Sequence, residues 1–131
     1  MAKLDQKAVD LIEKPNFGYL ATLNKDGSPQ VTPVWVDYDR ENNYVLVNTA
    51  IGRVKQKNVK RDPRVSLAVA DASNQYNKVI IRGRVVEVTM DGADEHIDKM
   101  AKKYLGKDRY PWKSSSEKRV IIKIKPERVV Y

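Results

Sequence analysis

The sequence predicts a mainly β domain in which six strands and three short helices form a barrel or a sandwich. Short runs of β-branched and aromatic residues recur along the chain, and turn residues such as those at 24–27 separate them. Helical spacing of apolar residues is confined to short segments. With 131 residues, 41% of them hydrophobic, residues 1–131 are expected to form one domain around one core.

Three positions qualify the strand assignment. Pro33 has no N–H for a ladder, which predicts an edge strand or a bulge there. Gly83 indicates a bend or a close approach of two backbones. Pro126 is expected to end the last strand. The six predicted strands cover residues 17–23, 30–38, 44–49, 65–69, 78–89 and 118–125.

The three predicted helices differ in how clearly the sequence marks them. The first has Leu4, Ala8, Leu11 and Ile12 at helical spacing, and Pro15 stops it. The second, at 51–60, is indicated by its lack of alternation and ends before Asp62 and Pro63. The third carries one apolar face and stops at Gly106. That face comprises Ala93, Ile97, Met100, Tyr104 and Leu105.

Catalytic side chains of the familiar kinds are scarce. The chain has no cysteine, which excludes disulfides, thiolate metal sites and thiol nucleophiles. His96 is the only histidine, no second imidazole can share a metal with it, and we expect it on the surface of the third helix. No phosphate-binding GxxxxGK[ST] loop occurs. An enzyme of this composition would take its chemistry from a cofactor.

The formal net charge of +8 favours an anionic partner, such as nucleic acid, anionic lipid or a phosphorylated small molecule. The same lysines also suit a charged surface that keeps the protein in solution. No apolar run is long enough to cross a bilayer, and the polar start is unlike a signal peptide. The protein is therefore expected in the cytoplasm, with no membrane partner.

The sharpest local feature is a basic segment that follows the third strand and begins the second helix. Free N–H groups and the positive end of the dipole at a helix start favour an anion, and Arg can bind two phosphate oxygens. Asn48 and Thr49, at the strand end, can add hydrogen bonds. The alternative is a solvated basic helix. From residue 53 to residue 64, the segment has one acidic residue, Asp62, and six basic residues. The basic residues are Arg53, Lys55, Lys57, Lys60, Arg61 and Arg64.

Several pieces of the chain, in this order and spacing, resemble the pyridoxamine 5'-phosphate oxidase-like split β-barrel superfamily. It includes FMN-binding and deazaflavin (F420)-dependent oxidoreductases. The Arg-x-Lys-x-Lys-Asn spacing followed by Asp-Pro-Arg looks closer to the deazaflavin branch than to pyridoxamine-phosphate oxidases proper. The pieces are GYLATL at 18–23, DGSPQVTPVW at 26–35, NTAIGRVKQKNV at 48–59, DPRV at 62–65 and the strand around Gly83.

The resemblance implies a six-stranded Greek-key split barrel with short peripheral helices, and a homodimer with the cofactor between protomers. The cofactor would be F420, or alternatively FMN. Arg53, Lys55 and Lys57 would face its phosphate, and Asn48 and Thr49 would lie by the phosphate or the ribityl chain. Residues expected alongside the ring are Gln30, Val31, Thr32, Pro33 and Val34.

The implied activity is hydride transfer between the bound cofactor and a small organic substrate. Tyr110 and Trp112, in the polar loop at 107–117, are candidates for the substrate side, reaching it from the partner chain, or for packing at a barrel edge. A cofactor-binding protein without turnover would share the same phosphate residues. A basic β-domain that binds nucleic acid is the third possibility, although aromatic residues do not alternate with Lys and Arg on one sheet face.

Overall fold

Seven antiparallel strands form one sheet in the computed structural model, which describes residues 2–131. The predicted domain, 1–131, thus includes one residue, Met1, that lies outside the described residues. The order across the sheet is β2-β1-β5-β6-β7-β4-β3. The strands are β1 (Gly18–Leu23), β2 (Pro29–Val34), β3 (Asp37–Asp39), β4 (Tyr44–Ala50), β5 (Arg64–Asp71), β6 (Asn74–Thr89) and β7 (Arg119–Val130), and the helices are α1 (Gln6–Glu13), α2 (Val54–Arg61) and α3 (Ala93–Leu105).

The predicted strand at 30–38 is wrong as a single element, which is why the sheet has seven strands and not six. β2 pairs with β1 at one edge of the sheet, and β3 pairs with β4 at the other. Val34 and Asp37 are three residues apart, so their Cα atoms are separated by at most about 11 Å. The sheet is therefore curled into a barrel whose two edges come together at Trp35 and Val36. Pro33 lies on edge strand β2, as its missing N–H predicts.

The antiparallel pairing of β6 and β7 is irregular at Gly83. The sequence predicts the close approach there but not the continuation of β7. A Cβ on Gly83 would lie 2.6 Å from the Lys125 carbonyl oxygen, so the close backbone approach is confirmed. Pro126 does not end β7, which continues to Val130. It pairs with Gly83 where the register shifts, and a ladder is already interrupted at such a point.

The core fills the barrel, and α1 packs against it. Leu20, Leu67, Ile81 and Ile122 are fully buried inside the barrel. Helix α1 begins after Asp5, whose carboxylate accepts a hydrogen bond from the Ala8 N–H at 3.1 Å. All four residues of its predicted apolar face are buried, although Leu4 lies just before the helix and not within it. They are Leu4, Ala8, Leu11 and Ile12.

Helix α3 lies over β4 and β7 and supports the region where the barrel edges meet. Ala93, Ile97 and Met100 are buried, and Gly106 follows the helix with a φ of 71°, so the predicted face and stop are confirmed there. Leu105 is the exception, because it is 38% exposed at the last turn.

Gly83→Ala is expected to destabilise the fold by about 3 kcal/mol, because the added methyl meets backbone atoms that cannot turn aside. Gly27→Ala is the matched control, since it has open space and only a positive φ of 87° to accommodate, at about 1 kcal/mol. Urea denaturation measures both. Equal losses of stability in the two variants would show that β6 and β7 can move apart at Gly83 at little cost.

Candidate functional site

An open cleft lies where the barrel edges, the end of β4, the start of α2 and the start of β7 meet. Eight of its twelve lining residues were predicted from the sequence: Pro33, Val34, Asn48, Thr49, Arg53, Lys55, Tyr110 and Trp112. The other four are Phe17, Trp35, Ile97 and Arg119. Tyr110 and Trp112 line the cleft of their own chain. Their reach to a substrate from the partner chain stays a prediction.

Four predicted cofactor residues lie outside the walls of this cleft. Gln30, Val31 and Thr32 belong to edge strand β2, where Val31 is 60% exposed. Lys57 is exposed on α2. Their part in cofactor binding stays a prediction. All four are at least partly exposed in the single chain, which leaves them accessible to a second protomer.

Three cations line the cleft, and one carboxylate beside it, Glu117, pairs with two of them. Arg53 Nη2 lies 2.6 Å from Glu117 Oε1, and Arg119 Nη1 lies 3.2 Å from Glu117 Oε2. Burial, together with the nearby charges of Arg53 and Arg119, lowers the pKa of Lys55 below its ordinary value. The Lys55 ammonium therefore lies in a field with an excess of positive charge, which a bound anion would relieve.

The N-terminus of α2 adds backbone donors to the same part of the cleft. The first-turn amides have no acceptor within the helix, and the Arg53 side chain does not cap them. Gln56 reaches back instead, and its Oε1 accepts a hydrogen bond from the Gly52 N–H at 3.0 Å. This bond holds the turn between β4 and α2, and with it the position of Arg53 and Lys55.

Aromatic rings form another part of the cleft lining. The Tyr110 ring contacts Trp35 and Trp112 edge-on, with centroids 6.0 and 5.5 Å apart. The Arg119 guanidinium lies over the Tyr110 ring, 5.3 Å from its centroid. Trp112 is 61% exposed, so this wall offers a ring face to a ligand.

Tyr104 of α3 fixes the crossover that brings Trp35 into the cleft. Its hydroxyl accepts a hydrogen bond from the Val36 N–H at 2.9 Å and donates one to the Asn16 carbonyl at 2.7 Å. Its ring stacks on Trp35 at 5.1 Å. Burial raises the pKa of the Tyr104 hydroxyl to about 12, so it remains a donor at every physiological pH.

A buried polar chain behind the cleft was missed by the sequence reasoning. Arg119 Nε donates to Asn48 Oδ1 at 2.9 Å, and Asn48 Nδ2 lies 3.1 Å from His96 Nδ1. His96 Nε2 lies 3.0 Å from Asp37 Oδ2. The expected surface position of His96 is wrong, because His96 is only 8% exposed. We call these four residues, Arg119, Asn48, His96 and Asp37, the polar chain.

Local signals for the polar chain were present but ambiguous. His96 falls on the same face of α3 as Ala93 and Met100, three and four residues away, and both are buried. Asp37 is a carboxylate within an apolar β-rich run. Neither signal identifies a partner, because the partners lie 59 and 48 residues away in the chain.

The pKa of Asp37 predicts how stability falls in acid. Burial opposes ionisation, but the His96 hydrogen bond and the Lys99 ammonium outweigh it and lower the pKa from 3.8 to about 2. A lowered carboxyl pKa stabilises the fold above the unfolded value and loses that effect as pH falls from about 4 through 2. The loss amounts to about 2 kcal/mol.

Asp37→Asn should therefore reduce stability at pH 7 and flatten the acid side of the pH–stability curve between pH 4 and 2. Denaturant unfolding at several pH values measures both effects. Asp94→Asn, an exposed acid in the first turn of α3, serves as the control and should keep the wild-type slope. If the stability of Asp37→Asn fell between pH 4 and 2 as steeply as that of the wild type, other carboxylates would be responsible for the loss of stability in acid.

Comparison with known proteins agrees with this architecture. Residues 4–131 match the family model described as pyridoxamine 5'-phosphate oxidase. The chain belongs to the pyridoxamine 5'-phosphate oxidase family. This confirms the resemblance stated from the sequence, and it assigns the chain to a family of flavin-using, oxidoreductase type. Within residues 2–131, no helix is long and apolar enough to cross a membrane.

Solved structures similar to this family member cover nearly all of it. One, named F420 reductase, is 28% identical with a TM-score of 0.82 and covers 97% of this chain and 98% of its own. A conserved hypothetical protein from Mycobacterium tuberculosis is 22% identical, with a TM-score of 0.71 and coverage of 98% and 84%. HupZ from Group A Streptococcus is 21% identical, with a TM-score of 0.68 and coverage of 96% and 91%. The last two support the fold alone.

The lining of the cleft has the chemistry to hold a cofactor that carries a phosphate group and a planar ring. Arg53, Lys55 and Arg119 against Glu117 leave an excess of two positive charges, which matches a phosphate group. The aromatic wall and the buried Val34 suit a ring system. In the part of the chain that the structure describes, no three His, Cys, Asp or Glu side chains are grouped to hold a metal ion.

Proposed function

We propose that this protein is an oxidoreductase that binds F420, or alternatively FMN, and acts on a small organic substrate. The observation that carries the proposal is the cleft itself, in which three cations and a helix N-terminus lie together with an aromatic wall. Similarity to a protein named F420 reductase over almost the full length of both chains supports F420 as the first choice.

Each lining group has a role that follows from its chemistry. Arg53, Lys55 and the first-turn amides of α2 would bind the phosphate. Thr49 and Asn48 would lie beside the linking chain, and Pro33 and Val34 beside the ring. Hydride transfer is the chemistry that such a cofactor supplies when bound. Tyr110 and Trp112 would limit the access of water and orient an apolar substrate.

We further propose a homodimer in which the second protomer completes this cleft. An apolar patch next to α2 supports the proposal, because Ile51, Val88 and Met90 line one shallow groove and are 51%, 36% and 55% exposed. A partner seated there would lie beside the cationic side of the cleft. In such a dimer, the cofactor would lie between two protomers. Residues outside the cleft of their own chain could then contact it, namely Gln30, Val31, Thr32 and Lys57.

Titration with F420 and with FMN tests the cofactor, followed by absorbance and fluorescence. We expect micromolar or tighter binding of one of them. Arg53→Ala combined with Lys55→Ala removes two charge-assisted phosphate contacts and should weaken binding by about a hundredfold, or about 3 kcal/mol.

The matched control is Lys25→Ala combined with Lys78→Ala, which removes the same charge from exposed positions outside the cleft. It should retain affinity within about threefold once salt is held constant. If neither cofactor binds, the proposed function is wrong. If both double variants lose affinity equally, the effect comes from net charge and the phosphate is not bound by Arg53 and Lys55.

The dimer has its own test. Met90→Arg should shift wild-type dimers toward monomers, because burying an unpaired guanidinium in an apolar contact is unfavourable. Sedimentation equilibrium measures the shift, and Tyr76→Arg is the control at an exposed apolar position, 92% exposed, outside the patch. A monomeric wild-type protein would overturn the dimer, and a dimer that Met90→Arg leaves intact would move its interface elsewhere.

A further inference from the structure

The polar chain connects the cleft to a second surface cleft on the other side of α3. Asn48 and Arg119 line the first cleft, while Asp37 and His96 line the second, together with Lys99 and Lys103. The polar chain joins four elements, β7, α3 and the neighbouring strands β4 and β3. Its inner members are almost closed to water, with exposed side-chain fractions of 8% for His96 and 11% for Asp37.

Hydrogen-bonding chemistry fixes the orientation of Asn48. A guanidinium only donates, so the group that faces Arg119 Nε must be the amide oxygen. A backbone carbonyl only accepts, so the amide nitrogen must face the Ala93 carbonyl, 2.8 Å away. The two neighbours agree, and the second hydrogen of the amide nitrogen then points at His96 Nδ1.

The orientation of Asn48 in turn fixes the state of His96. Because Asn48 donates to Nδ1, that nitrogen must carry a lone pair, and the imidazole is neutral. Its proton lies on Nε2 and is donated to the Asp37 carboxylate. Asp37 also accepts from Lys99 Nζ at 3.1 Å and from the Tyr38 N–H at 2.9 Å, so the carboxylate is held from three sides.

The Arg119 guanidinium is thus held in one place by three different contacts. Asn48 accepts from Nε, Glu117 accepts from Nη1, and the Tyr110 ring lies against its face. The Arg119 side chain is only 9% exposed, whereas Glu117 is 26% exposed. An anion that enters the cleft competes with Glu117 for the cations, but it leaves the buried bond to Asn48 in place.

We infer that His96 and Asp37 are positioning residues, which hold Asn48 in one orientation so that Arg119 presents its charge to an anion in the cleft. The inference rests on the proposed function only in that an anionic cofactor enters this cleft. Without His96, Asn48 Nδ2 keeps only the Ala93 carbonyl as an acceptor, and its second hydrogen is left without a partner. The amide that anchors Arg119 Nε is then held less firmly. The Arg119 guanidinium would remain in the cleft, but its direction would be less well defined.

The single histidine makes the wild-type test direct. In protein labelled with ¹⁵N at histidine, His96 gives the only histidine side-chain signals. We expect a neutral ring at pH 7, protonated on Nε2 and unprotonated on Nδ1. A ring protonated on Nδ1, or on both nitrogens, would overturn the inference without any substitution.

Two substitutions then separate positioning from packing. His96→Gln keeps one acceptor and one donor, whereas His96→Leu keeps only the bulk. The Arg119 Nε–H signal, assigned with Arg119→Lys, should stay protected from exchange in His96→Gln and become exposed in His96→Leu. With FMN and F420 as probes, His96→Leu should bind about tenfold more weakly, and His96→Gln should stay within about twofold of wild type.

Met100→Ala is the matched control, because Met100 is buried on the same face of α3 and makes no polar link to the cleft. It should lower stability yet leave the Arg119 signal and the affinity unchanged. Equal losses in Met100→Ala and His96→Leu would reduce His96 to a packing residue and overturn the inference. The tautomer and exchange measurements need no cofactor, so failure of both cofactors to bind would reject the proposed function alone.

Discussion

The sheet closes into a barrel because two residues, Trp35 and Val36, carry the chain from one of its edges to the other. Their backbone cannot join a ladder, so their polar groups need other partners. Tyr104 supplies one from α3, where it binds the Val36 N–H and the Asn16 carbonyl together. This one hydroxyl ties α3 to the crossover between the two barrel edges and to the chain just before β1. The cleft depends on it, because the crossover sets Trp35 on one side of the cleft and Asp37 at the far end of the polar chain.

Charge and packing divide the cleft into two chemically different parts. Arg53, Lys55 and Arg119 gather where α2 begins, and a single carboxylate, Glu117, partly neutralises them. Glu117 therefore orders the cations before a ligand arrives, and it also competes with that ligand. Because Arg53 is half exposed and Arg119 is almost enclosed, the first can follow an incoming anion while the second stays fixed. A mobile and a fixed cation on either side of one carboxylate suit an anion that must enter and leave.

Sequence patterns over a few residues predicted the features that depend only on neighbouring residues in the chain. The apolar face of α1 and the stop at Gly106 both follow from short spacings. The division of residues 30–38 into β2 and β3 does not, because it is set by pairing with β1 and β4. The basic segment shows both cases. Lys55 lines the cleft and Lys57 does not, since residues two apart on a helix point in different directions. The polar chain was beyond local reasoning, because its bonds join residues from four separate elements.

Stability alone gives a poor account of the polar chain. Buried ionic and polar groups contribute little net stability compared with well-packed apolar residues of similar size, although breaking a satisfied network is costly. Within residues 2–131, no buried side-chain nitrogen or oxygen is left without a partner, so this network is complete. What it adds is a single orientation. Asp37 fixes the imidazole, the imidazole and the Ala93 carbonyl together fix the Asn48 amide, and the amide fixes Arg119. An apolar core in the same place would be as stable, but it would leave the inner cation of the cleft free to point in several directions.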